Sequence, residues 1–67
     1  MTDALKLAAG REFVKRVEAD LGYALDSHII DLFMDNADKL NFTDEDCLAV
    51  GNVVYADKGI APTKKWW

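Results

Sequence analysis

The 67 residues of this chain include a single cysteine, a single proline and a single histidine. A lone Cys47 permits no internal disulfide and no cysteine-based zinc site. No apolar run approaches the ~18 residues of a transmembrane helix, so no membrane-spanning segment is expected. The opening stretch MTDALKLAAGREF has no basic region followed by an apolar one, so no secretory signal is expected and the location is read as cytoplasmic. Neither GxGxxG nor GxxxxGK[ST] occurs, so no nucleotide cofactor is expected. Internal repeats and interdomain linkers are also missing. Bases are scarce: eight Lys and Arg stand against twelve Asp and Glu, giving a net charge of -4. Nucleic-acid phosphates need a basic surface that this composition does not supply.

What is present is a large apolar share, 51% of residues, enough for a core and too much for a disordered tail. Residues 1–60 read as one helical domain and 61–67 as a C-terminal tail. Below roughly 70–80 residues a single core seldom supplies more than about 3–5 kcal/mol. With no disulfide or metal to staple it, such a chain relies on close helix packing or on burial against a second molecule.

Three helical segments are predicted. The first spans Asp3 to Leu21, with Thr2 or Asp3 as its cap and Gly22 as its stop. Leu5, Ala9, Phe13, Val17 and Leu21 recur every four residues, with Val14 beside them, and form the expected apolar stripe. Gly10 inside this pattern marks a kink, a close approach by another element, or a boundary between two shorter helices. The second segment starts after a cap at Asp26 or Ser27 and runs to Leu40, stopping at Asn41. Ile30, Phe33, Ala37 and Leu40 make its apolar side, with Ile29 flanking. Asp31, Asp35 and Asp38 make an acidic stripe opposite. The third begins at Thr43, a hydroxyl cap followed by Asp44, Glu45 and Asp46, where free amides and the helix dipole favour negative charge. Phe42 and Cys47 are placed as a hydrophobic staple. Cys47, Val50 and Val54 share a face, and Lys58, Gly59, Ile60 and Pro62 signal the end.

A hairpin competes for this last segment. Leu48-Ala49-Val50 and Val53-Val54-Tyr55 are β-prone arms around Gly51-Asn52, an acceptable two-residue turn. Arms of three residues are marginal in water, and the capping signals favour a helix. The expected fold class is therefore all-α, a compact three-helix domain with a short C-terminal tail. The hairpin alternative would make it α+β.

Charge is uneven. Residues 27–46 hold six acids against Lys39 alone, more negative charge than the net of the chain. Such a field attracts a basic partner and speeds its association at low salt. Catalytic use of the carboxylates needs a concave pocket, for which three short helices leave little room. The acid-rich stretch Asp35–Asp46 fails the calcium-loop pattern, with Ala, Lys and Leu at its third, fifth and sixth positions. A cation site from Asp38 with Asp44–Asp46 is a minor alternative. His28 and Cys47 would form a nucleophile pair only by chance, and a buried structural thiol is the expected role of Cys47. No catalytic, cofactor-binding or metal-binding residue is assigned.

Trp66 and Trp67 end the chain. They are read either as closing over an undersized core or as anchors in a partner, where tryptophan is enriched. The function expected is a small, acidic, non-enzymatic protein-binding module. It inhibits or adapts a larger protein with a basic surface, such as a nuclease, an RNA polymerase or a CRISPR effector, in the manner of a phage or mobile-element DNA mimic. Expected partner-binding residues are Asp31, Asp35, Asp38, Asp44, Glu45, Asp46, Trp66 and Trp67. No cofactor, direct nucleic-acid contact or membrane contact is expected. The alternative is a structural or assembly protein acting as an obligate homo-oligomer.

Overall fold

A computed structural model describes residues 2–62; Met1 and residues 63–67 lie outside them. Four helices occur among the described residues and no strand: α1 (Ala4–Leu21), α2 (Ile29–Asp35), α3 (Ala37–Leu40) and α4 (Asp44–Lys58). The all-α expectation holds, and residues 47–57 are helix, not hairpin.

The end signals of α1 and α4 act as local chemistry dictates. Asp3 caps α1 by accepting from the Lys6 amide at 2.8 Å. Gly22 ends α1 at φ 82°, the left-handed region that glycine reaches without strain. At the start of α4, Thr43 Oγ1 accepts from the Asp46 amide (3.1 Å) and Asp46 Oδ2 accepts from the Thr43 amide (3.0 Å). This reciprocal capping box satisfies two amides that the helix itself cannot. At the other end, the Ile60 amide donates to Tyr55 O and the Gly59 amide to Ala56 O, the paired bonds of a Schellman close.

The second predicted segment is corrected in two places. Its N-cap is His28, in the left-handed region at φ 61°, and not Asp26 or Ser27. It also breaks at Asn36, giving two short helices where one was expected and four in place of three. Asn36 Nδ2 donates to the Leu32 carbonyl at 2.8 Å, competing with the backbone for the helix acceptor. Asn41, at φ 56°, then ends α3 as anticipated.

Helix α4 is the central element, packing on α1 and on α2. Its row 46-50-54-58 serves α1. Lys6 meets Asp46, Gly10 faces Val50, and Glu18 meets Lys58. Each pair is offset by forty residues, so the two helices run parallel and in step. Its adjacent row 47-51-55 serves α2: Cys47 Sγ donates to Phe33 O, Gly51 faces Ile30, and Tyr55 reaches Ile29.

The core comprises Val14, Ile29, Ile30, Phe33, Phe42, Cys47, Val50, Val54 and Tyr55. Phe33 is its hinge, with ring centroids 6.2 Å from Phe13 and 6.0 Å from Phe42. The predicted stripe of α1 is displaced by about one position. Gly10 and Val14 are buried, whereas Leu5 is 82% and Leu21 46% exposed. Gly10 decides this: an added Cβ would lie 2.1 Å from Val50 Cγ1. The helix therefore turns its bare glycine row to α4 and leaves its apolar row half outside.

Candidate functional site

The predicted acidic face divides into groups with different duties. Asp46 is buried, at 6% exposure. Its Oδ1 accepts from Thr2 Oγ1 (3.0 Å), and its Oδ2 accepts from Lys6 Nζ (2.6 Å) and from the Thr43 amide (3.0 Å). The Lys6 hydrogen bond, helped by the Thr43 amide, holds this carboxyl well below the usual carboxylate range. The same bond raises the Lys6 ammonium above its ordinary value. Asp46 thus ties the start of α1 to the first turn of α4, which corrects its place on an exposed face.

Asp31 is half-buried on α2, and its Oδ2 lies 3.1 Å from His28 Nδ1. Asp35 ends α2 and Asp38 begins α3, both exposed. The break at Asn36 means that these three acids do not share one continuous helix. Asp44 and Glu45 are exposed in the first turn of α4. Trp66 and Trp67 lie outside the described residues.

Three of the six described bases are used within the chain. Lys6 holds Asp46, Arg11 Nε meets Asp57 Oδ2 at 2.6 Å, and Lys58 Nζ meets Glu18 Oε2. Glu18 Oε2 also accepts from the Leu25 amide at 2.6 Å, pinning the loop after α1. The Lys58 hydrogen bond lowers the Glu18 carboxyl from its ordinary value, with the Leu25 amide assisting against burial. The Arg11–Asp57 pair is exposed on both sides and contributes little, about 0–1 kcal/mol.

Cys47 is fully buried, and burial raises its thiol above the ordinary value, the reverse of an activated nucleophile. Among the described residues no group of three or more His, Cys, Asp or Glu side chains is arranged to hold a metal ion. No described helix is long and apolar enough to cross a membrane.

The surface is more hollowed than three short helices suggested. An open groove of about 570 Å³ lies between α1 and the end of α3, lined by Ala9, Glu12, Phe13, Lys15, Arg16 and Leu40. A second, about 290 Å³, follows the α1–α4 seam over Val14 and Val54. The sequence signal for the first groove was the Ala9-Phe13 step of the α1 stripe, which reads equally well as core.

No protein-family model, curated protein or solved structure matches this chain.

Proposed function

We propose that this chain is a non-enzymatic binding module that engages a larger protein with a basic surface through the exposed acids around α3. The observation that carries this reading is the cluster of exposed acids at Asp35, Asp38 and Asp44. Lys6, Arg11 and Lys58 are engaged within the chain. Asp35, Asp38 and Asp44 are exposed and form no ion pair with another described residue. Their charge is therefore available to steer and hold a cationic partner. Glu45 lies beside them, whereas Asp46 is excluded because its oxygens serve the fold.

Proteins that handle nucleic acid present such basic surfaces. A nuclease, an RNA polymerase or a CRISPR effector is the target class, and occupation of its nucleic-acid channel is the mode of inhibition. The test is affinity capture from host extract with the native chain and with an Asp35→Lys/Asp38→Lys/Asp44→Lys variant. The native chain is expected to retain a basic partner that the variant loses. Affinity for that partner should fall at least about tenfold between ~0.05 and ~0.5 M salt. Equal capture by both chains, or affinity indifferent to salt, refutes the reading.

A further inference from the structure

Helix α1 has an outward face that the acidic surface does not explain. Its row 6-10-14-18 faces α4, and the neighbouring positions 9 and 13 open into the groove beside α3. Ala9, Phe13 and Leu40 make an apolar floor; Lys15, Arg16 and Glu12 complete its lining. From Ala9 to Arg16 the helix rises ~10 Å, or two turns.

The rim charge is opposite in sign to the chain as a whole. Its two cations outnumber its single acid, although the net charge of the chain is -4. Neither the Lys15 nor the Arg16 side chain forms a hydrogen bond or ion pair with another described residue, unlike those of Lys6, Arg11 and Lys58.

An apolar floor with unpaired cations at its rim complements one kind of ligand. We propose that this groove docks a short amphipathic helix of a partner protein, with apolar residues at i, i+4 and i+7 flanked by Asp and Glu. A nucleic-acid backbone would use the two cations and leave the floor uncovered, so the floor favours the peptide. This second surface goes beyond the acidic-face reading and is independent of it. Together the two surfaces would make the chain a bridge between partners of opposite charge.

The probe is a fluorescent peptide of about fourteen residues, helical by composition, with Leu at i, i+4 and i+7 and Glu between them. A Lys-for-Glu peptide, an Ala-for-Leu peptide and a single-stranded oligonucleotide are the comparisons. The full chain should bind the Leu/Glu peptide saturably and each comparison at least about tenfold more weakly. Lys15→Glu/Arg16→Glu and, separately, Ala9→Glu should weaken binding to a similar degree while melting as the native chain does. Asp35→Lys/Asp38→Lys should leave peptide binding in place, which separates this surface from the acidic one. The proposal is overturned by any of four results: no saturable binding; equal binding by the reversed-charge variant; an oligonucleotide preferred over the peptide; or self-association by sedimentation that Ala9→Glu abolishes, which would make a second copy the occupant.

Discussion

The hydroxyl of Tyr55 closes the start of a helix to which it does not belong. His28 offers no side-chain cap to α2, and the Ile29 amide is buried there. Tyr55 Oη accepts that amide at 2.8 Å from twenty-six residues away. An unpaired buried amide costs about 1–3 kcal/mol. Tyr55→Phe should therefore lower the melting temperature by roughly 4–8 °C per kcal/mol lost, as read by calorimetry. An unchanged melting temperature would mean that the amide finds another acceptor. The caps at Asp3 and Thr43 were legible in the sequence because each donor lies three residues from its acceptor. The Tyr55 cap was not, since no local pattern couples an aromatic to a distant amide. Asp46 was half legible. Its place in the capping first turn of α4 could be read, but its engagement with Lys6 and Thr2 could not.

The two internal glycines of the packed helices each set an interface. An added Cβ at Gly10 would lie 2.1 Å from Val50 Cγ1, and one at Gly51 would lie 2.4 Å from Ile30 Cγ1. Alanine is the better helix former by about 1 kcal/mol. Overpacking against a stiff β-branched neighbour costs about 1–3 kcal/mol. Gly10→Ala and Gly51→Ala are thus expected to destabilise despite their propensity gain. Space freed by Val50→Ala should offset part of the Gly10→Ala loss, so the double variant should be more stable in urea than the two single losses added together. Strict additivity would show that the Gly10–Val50 contact is not limiting. Close approach was one of three readings of Gly10 in the sequence, and packing settles which one applies. Gly51-Asn52 kept a hairpin open as the alternative to the favoured helix, because glycine before asparagine suits a turn as well as a tight helix crossing. The break at Asn36 escaped the periodicity because Ile30, Phe33, Ala37 and Leu40 keep helical spacing across it.

The pH dependence of the folded state follows from two carboxylates that bridge α1 and α4. Asp46 and Glu18 are both held below their ordinary values by hydrogen-bonded lysines. A depressed carboxyl binds its proton later in the folded state than in the unfolded chain, so acid favours unfolding. Their stabilisation is complete above the ordinary carboxylate range of ~4 and is lost as pH falls toward the folded values. Lys6, raised by the same Asp46 bond, keeps its contribution up to its ordinary range of ~10.4 and loses it as pH rises beyond. Asp46→Asn should lower stability at neutral pH and flatten the loss below about pH 4, as measured by urea midpoints across that range. A variant whose acid limb keeps the native steepness would place the linkage elsewhere, with Glu18 the next group to test.

Helical class, both ends of α1 and α4 and the stop of α3 were written locally, by caps, glycines and Asn41, since each uses donors and acceptors within about a turn of the chain. The core was partly legible: Ile29, Ile30, Phe33, Cys47, Val50 and Val54 all fall on predicted apolar positions. Which row of α1 faces inward depended on α4, because the closest approach follows the residue with no side chain, Gly10, and not the most apolar row. That long-range fit, with its forty-residue register, buried Asp46, left Ala9 and Phe13 to line a groove and left Leu5 exposed. Apolar periodicity ranks positions by hydrophobicity alone. Packing chooses among them by shape, and shape is supplied by the partner helix.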